Sequence, residues 1–214
     1  MSMKRILKDK KALIDECITK EQVVLDVGFW GQATQYDSSR WPHSMLIHSA
    51  REVYGVDLEY DEHVLHDLSH YKKASAEDFD FGETKFDVIF GGDVIEHLSN
   101  PGLFLDCSRK ALKKGGVLII STPNCFNLWN LISKLMRYEP AVNNDHTCYF
   151  NEKTIQQLYL KNGWEIIEIL YLYKLDTNYK ESMKKKLQNV LYWFLSKFTT
   201  KFLEPMVVIA QVKQ

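Results

Sequence analysis

No two of the four cysteines have the CxxC spacing of a zinc or redox motif; Cys17, Cys107, Cys125 and Cys148 are scattered over 214 residues. A disulfide or cysteine–zinc framework is therefore not expected, and the pattern fits free thiols in a reducing compartment. No apolar run approaches the roughly 18 residues that span a bilayer. The N-terminal stretch MSMKRILKDKKALIDECITK lacks the continuous apolar segment of a signal peptide. Charge of neither sign dominates: the formal net charge is −1, so no broad basic footprint for nucleic acid is expected. The GxGxxG loop of a nicotinamide-dependent dehydrogenase is missing. There is no internal repeat and no low-complexity tract. The expectation is a soluble cytoplasmic protein, with nothing in the sequence to fix its oligomeric state.

What is present is a regular alternation. Apolar content of 45% suits one domain with a proper core. β-rich runs stand at 23–27, 52–57, 86–90, 116–121, 164–170 and 206–212. Helical spacing appears over 4–19, 41–49, 60–69, 101–113 and 151–162. The segment NPGLFLDCSRKALKKGG reads as Asn100 cap, Pro101 in the first turn, lysines in the last turn and glycine beyond it. Val117–Ile120 is apolar throughout, as a strand buried on both faces should be. This alternation predicts an α/β fold: a Rossmann-like, seven-stranded, mostly parallel sheet with an antiparallel last strand and helices on both faces. One domain is expected over 1–214, with an N-terminal helix over 1–20, a core over 21–172, and an amphipathic helix and last strand over 178–214.

In an open α/β sheet, ligands bind beyond the carboxyl ends of the strands, where strand order reverses. The strand ends therefore carry the chemistry. The first, VVLDVGFWGQ, ends in Asp26-Val27-Gly28, with Gly31 three positions on. Gly28 permits a tight turn and a close approach of backbone to ligand. The second, VYGVD, puts Asp57 at its tip, where a carboxylate suits the two hydroxyls of a ribose. ASAEDF, FDVIFGGDVIEHL and GVLIISTPN are the third, fourth and fifth. Each alone is weak, because a glycine turn or a strand-end aspartate is common in structural loops. Five in order form a far stronger signal.

These five segments resemble the motifs of the class I S-adenosylmethionine-dependent methyltransferases, over about residues 20–172. VLDVG is similar to the family's first motif and VYGVD to the second, with Asp57 as the ribose-binding acid. ASAED is similar to the adenine-contacting third. FDVIFGGDVIEHLSNP and LKKGGVLIISTPN are similar to the fourth and fifth. The segment TPNCFNLWNLISKLMRYEPAVNNDHTCYFNEKTIQQLYLKNGWEIIE further resembles methyltransferases associated with cell-surface glycan and lipopolysaccharide biosynthesis. The resemblance implies S-adenosylmethionine as cofactor, held by Asp26, Gly28, Phe29, Gly31, Asp57, Leu58, Ala76, Glu77 and Asp93. It also implies that MVVIAQV inserts antiparallel beside 164–170. Trp30 and Gln32 stand where the family has glycines, and Ser75 where an acid is frequent. The interval from Asp26 to Asp57 exceeds the roughly 20 residues of a compact mononucleotide unit.

The expected reaction is O-methylation of a small-molecule or glycan hydroxyl. His146 is the candidate general base, with His97 also placed in the site; the alternatives are a loop histidine that fixes backbone or a wall of the cofactor pocket, and Asp145 either orients His146 or caps the turn. Asp93, Glu96 and His97 at i, i+3 and i+4 would share a helical face. With His146 they define a second reading, a metal-dependent O-methyltransferase, though the favoured assignment contains no metal. A third reading is a non-catalytic partner or regulatory protein with a cofactor fold. Trp30, Trp41, Trp129 and Tyr149 line a substrate pocket or belong to core and lid. In the helix over 183–202, Met183, Leu187, Val190, Leu191, Phe194, Leu195, Phe198 and Phe202 share one face behind a basic start. That face either makes a peripheral membrane contact or packs on the sheet or the N-terminal helix, the preferred reading.

Overall fold

The structure is a computed structural model that describes residues 4–30, 41–65, 67–139, 143–173 and 183–213. Its strands are β1 (Ile6–Leu7), β2 (Val23–Val27), β3 (Glu52–Asp57), β4 (Tyr71–Lys73), β5 (Phe86–Gly92), β6 (Leu112–Thr122), β7 (Trp164–Leu172) and β8 (Met206–Val212). Its helices are α1 (Lys10–Cys17), α2 (Pro42–Ser49), α3 (Pro101–Ala111), α4 (Leu128–Leu135), α5 (Glu152–Lys161) and α6 (Met183–Leu195). The strands form one sheet in the order β1-β7-β8-β6-β5-β2-β3-β4. Among the described residues only β8 is antiparallel to its neighbours, lying between β6 and β7 with Ile119 opposite Ile209 and Ile169 opposite Val208. The expected antiparallel last strand is therefore present. Strand order reverses between β2 and β5, which pair in parallel.

The period-two alternation of each central strand feeds two cores. Val23, Leu25 and Val27 of β2, Ile89 of β5, and Leu118 and Ile120 of β6 pack on one face with Phe104 and Leu105 of α3 and Ile155 and Tyr159 of α5. Val24, Val88, Phe90 and Ile119 pack on the other with Leu13 and Ile14 of α1 and Leu46 of α2. Helices thus cover both faces. Eight-residue helices such as α1 are not stable alone; α1 is held by Leu13 and Ile14, both fully buried, and by Asp9, whose side chain accepts from the Ala12 amide.

Several expectations are corrected. The sheet has eight strands, because Ile6–Leu7 leaves the expected 4–19 helix to pair with Tyr171–Leu172, and Tyr71–Lys73 adds to β3. The expected 60–69 helix is instead two single 3-10 turns, Glu62–Val64 and Leu68–His70. Asp61 and Asp67 each bind an amide two residues on, a local bond that competes with helix propagation. Asn100 occupies the cap position of α3 without a side-chain cap bond. The C-terminal helix stops at Leu195, and its apolar face is not packed as preferred above. Tyr192 and Ser196 turn inward and are buried, while Leu187, Val190, Phe194 and Phe198 are exposed. Leu195 is half-buried against the core.

At the head of β8, Glu204 ties this region together. It accepts from Asn127 Nδ2 at 2.6 Å and from the Tyr192 hydroxyl at 3.2 Å. Burial, and next the charge of Asp93, push its carboxyl up to about 7. The folded state thus holds a proton that the unfolded chain releases near the ordinary 4.5. This group's contribution to stability is then full below about pH 4.5 and falls as pH rises toward 7. Glu204→Gln is expected to flatten the decline of Tm between pH 5 and pH 8; an unchanged slope in a thermal melt series would show that the carboxyl ionises freely in the fold.

Candidate active site

The tips of β2, β3, β5 and β6 open on a cavity of about 700 Å³ at the reversal point, within the range of about 300–1,000 Å³ usual for ligand sites. Gly28 begins the turn after β2. Its φ is +72°, and a Cβ there would come within 2.4 Å of Val94 Cγ2, so the position admits only glycine without strain. Its amide donates to Val56 O, tying the turn to β3.

The bulky loop is explained by what lies behind it. Phe29 is buried and packs against the rings of Trp41, His43, Tyr60 and Tyr71. Its carbonyl accepts from Trp41 Nε1 at 2.6 Å. The room for it comes from Gly55 within β3, where a Cβ would lie 2.7 Å from both Phe29 and Tyr71. Trp30 contributes its backbone: its amide donates to Asp57 Oδ2 at 2.8 Å, and the Leu58 amide to Oδ1 at 2.8 Å. A carboxylate so placed is an acceptor, the complement of a hydroxyl donor. The small and apolar lining from Leu58, Ala74, Ala76 and Leu98 suits a flat base. The Asp57 carboxylate, an acceptor for hydroxyl donors, and these apolar side chains line the same cavity.

Of the residues expected to hold a cofactor, Gly28, Asp57, Leu58, Ala76 and Asp93 line this cavity. Asp26, Phe29 and Glu77 are not among its lining. Asp26 is 3% exposed within β2, with Oδ2 3.0 Å from His43 Nδ1, while His43 Nε2 is 2.9 Å from the Tyr71 hydroxyl. Burial pushes the Asp26 carboxyl up, partly offset by the His43 bond. Burial, then the Asp26 charge, pushes Tyr71 up to about 12, so it keeps its proton. Glu77 accepts from the Asn100 amide at the start of α3. Gly31 lies outside the described residues. Trp30, Trp41, Trp129 and Tyr149 are likewise not among the lining; Trp41 is core and Tyr149 is exposed.

The other half of the cavity carries the reactive groups. His97, Asp145 and His146 all line it, as does Glu96. The 143–148 loop reaches the β5 tip because the amides of Thr147 and Cys148 donate to Glu96 O, and Thr147 Oγ1 donates to Leu98 O. His97 and His146 meet edge to face, with centroids 4.5 Å apart. Burial, and next the His97 charge, pull the His146 pKa down, favouring the neutral imidazole. Asp145 acts on His146 by charge in the opposite sense. Asp93, in a left-handed conformation, receives Lys10 Nζ at 2.8 Å and Ser121 Oγ at 2.7 Å. Burial opposes its ionisation, but these contacts outweigh it and hold the carboxyl below its ordinary value. Glu96 is 2% exposed and accepts from Thr122 Oγ1. Burial and repulsion from Asp93 push it up to about 8. Glu96 and His97 lie in a single 3-10 turn over Ile95–His97 and Asp93 precedes it, so the three do not share an α-helical face. Sequence reasoning missed Lys10, His43 and Glu204. Lys10 reads as an ordinary solvated helix lysine, and nothing in its local pattern marks a partner at Asp93.

The profile of the methyltransferase domain family matches residues 18–169. The chain belongs to this family. Its fold is that of the class I S-adenosylmethionine-dependent methyltransferases. A ubiquinone biosynthesis O-methyltransferase of Bartonella quintana (strain Toulouse) is 31% identical over 94 residues, 42% of this chain and 38% of that protein. A tRNA U34 carboxymethyltransferase of Sulfurovum sp. (strain NBC37-1) is 27% identical over 149 residues, 65% and 46% of the two chains. The methyltransferase domain thus matches less than half the length of these relatives. Among solved structures, the 1,6-didemethyltoxoflavin-N1-methyltransferase of Burkholderia thailandensis, with 1,6-didemethyltoxoflavin and S-adenosylhomocysteine bound, has a TM-score of 0.60. It is 14% identical, with 96% of this chain and 77% of that one covered. A SAM-dependent methyltransferase from Archaeoglobus fulgidus has a TM-score of 0.58 at 18% identity, covering 94% and 91%. These likenesses establish the fold.

Gly28→Ala tests the turn. A left-handed alanine and the overlap with Val94 together cost roughly 2–5 kcal/mol, read as a lower midpoint in urea with an unchanged slope. A loss below about 1 kcal/mol would mean that the turn relaxes without strain.

Proposed function

We propose that this protein is an S-adenosylmethionine-dependent methyltransferase that methylates a hydroxyl on a small molecule or glycan. The observation that carries the reading is convergence: Gly28 and Asp57 at the nucleoside end and His97 and His146 at the other line one cavity. S-adenosylmethionine supplies a methyl group already made electrophilic by its sulfonium. Asp57 binds the ribose hydroxyls, and Gly28 lets the backbone approach. Asp93, also in the lining, keeps a negative charge near the sulfonium. The chain's remaining task is to hold an acceptor oxygen in line and remove its proton. His146 takes that proton at its free imidazole nitrogen as the new oxygen–carbon bond forms, and S-adenosylhomocysteine leaves. Oxygen as the acceptor atom is supported by the name of the Bartonella relative. A glycan acceptor rests on the resemblance of the 122–168 segment alone. The near-neutral net charge speaks for a small acceptor rather than a polynucleotide.

One observation favours a second reading. Glu96, His97 and His146 offer ligand atoms that all lie within 4.8 Å of one another. Such a carboxylate–imidazole set suits zinc or manganese, which would lower the pKa of an acceptor hydroxyl in place of a histidine base.

Three measurements decide among these. Calorimetry is expected to show S-adenosylhomocysteine binding, weakened about 10- to 100-fold by Asp57→Ala, as the loss of charged hydrogen bonds worth roughly 1.5–3 kcal/mol requires. No binding at high micromolar concentration would overturn the cofactor assignment. With an acceptor in hand, His146→Ala is expected to lower kcat about 10²- to 10⁴-fold while leaving S-adenosylhomocysteine affinity within about threefold; an unchanged kcat removes His146 as the base. Dialysis against EDTA is expected to leave kcat intact. Loss of activity restored by manganese or zinc would transfer the mechanism to the metal reading.

A further inference from the structure

α6 is inverted relative to an ordinary surface helix. Tyr192, and beyond its end Ser196 and Thr200, are buried, while most of its apolar positions face solvent and Leu191 and Leu195 are half-buried. Phe198 is 69% exposed and Leu187 68%, with Val190, Trp193 and Phe194 also exposed. α4 packs Leu128 and Trp129 on the core, but none of its residues is fully buried, and Leu135 is 84% exposed, with Leu131, Met136 and Tyr138 also exposed. The two elements are fastened to each other. The Leu128 amide donates to Phe202 O, Asn124 Nδ2 donates to Lys201 O and Leu203 O, and Asn127 and Tyr192 share Glu204. This joint sits at the carboxyl end of β6, where Pro123 lines the cavity. The apolar surface therefore borders the site.

The exposed charge around this surface is mostly positive, from Lys186, Lys197, Lys201 and Arg137, with Lys134 paired to the exposed Glu139 at 2.6 Å. Residues 183–203 contain five lysines and no acid, and residues 124–138 contain Lys134 and Arg137 and no acid, in a chain whose net charge is −1. Lys197 Nζ lies over the exposed Trp193 ring, 5.0 Å from its centroid. Exposed Trp, Phe and Leu with lysines that reach past them are the chemistry of a helix lying in a bilayer interface. No helix among the described residues is long and apolar enough to cross a membrane.

We propose that α4 and α6 form a platform that docks this protein on an anionic lipid surface, with the cavity's mouth beside the headgroup layer. The inference goes beyond the methyl-transfer reading and is tested without it. The full chain is co-sedimented with vesicles of phosphatidylcholine and phosphatidylglycerol at 3:1, and with phosphatidylcholine alone. Binding is expected to the anionic vesicles, at least tenfold weaker to the neutral ones, and reduced by 0.5 M salt. Phe194→Glu with Phe198→Glu is expected to abolish it while Tm stays within a few degrees and S-adenosylhomocysteine affinity is unchanged. Lys197→Glu with Lys201→Glu, which leaves the apolar face intact, is expected to weaken it severalfold. No sedimentation with anionic vesicles, or equal binding by the Phe194/Phe198 variant, overturns the platform. So does concentration-dependent dimerisation lost in that variant without vesicle binding, which would assign the face to a second copy of this chain. Failure of cofactor binding is read separately by calorimetry and leaves the docking result standing.

Discussion

A carboxylate buried in the middle of a sheet has to be satisfied, and in this protein much of the site depends on how that is done. Asp26 sits in β2 between β3 and β5, almost without solvent contact. An unpaired charge there would be strongly destabilising. His43 reaches it from the first turn of α2 and passes its other nitrogen to Tyr71 on β4. With the carboxylate ionised, Nδ1 donates to it and Nε2 accepts the tyrosine proton, so all three groups are paired. One chain of bonds therefore fixes β2, α2 and β4 together. Trp41, two residues before His43, is then in place to hold the Phe29 carbonyl.

That arrangement accounts for a first loop with so little glycine. Where successive glycines would let backbone lie bare against a ligand, a wall of rings holds the turn in shape. The Phe29 side chain points away from the cavity, Gly55 yields it space, and Trp30 contributes an amide to Asp57. The cost falls on β3, where glycine weakens a strand interior. It is offset by the aromatic contacts packed against the gap.

The legibility of the sequence divides along the same physical line. The part of the cavity that carries Gly28 and Asp57 is built from strand ends, and a strand end is a local pattern: apolar run, then glycine or acid. Asp57, Gly28 and Asp93 were readable as strand-end residues for that reason, as were the runs that form the central strands. Phe29 and Asp26 were read as ligand contacts because they lie in the right motif, but spacing does not report which way a side chain faces behind a turn. The roles of His43 and Lys10 depend on partners far along the chain, and no periodicity encodes such a pairing. The 60–69 segment failed for a different reason: its aspartates bind their own backbone, a preference that composition alone understates. For α6 the heptad-like spacing was legible and its direction was not, since an apolar stripe says that something is covered without saying by what.

The electrostatics of the β5 and β6 tips follow from crowding. Asp93, Glu96 and Glu204 act on one another in a region that excludes much of the water, and like charges so placed do not all ionise. The ammonium of Lys10 decides which one does. Committed to Asp93 together with the Ser121 hydroxyl, it leaves Glu96 and Glu204 to hold their protons near neutrality. Environment thus assigns similar carboxyl groups opposite states. The single negative charge stays on the β5 tip, where it faces the cavity, and the neutral groups go to structure: Glu204 joins α4 to α6 and β8, and the Glu96 carbonyl anchors the loop that carries His146. Moving Lys10 would therefore disturb more than one ion pair. It would redistribute protons among the three acids that crowd the β5 and β6 tips.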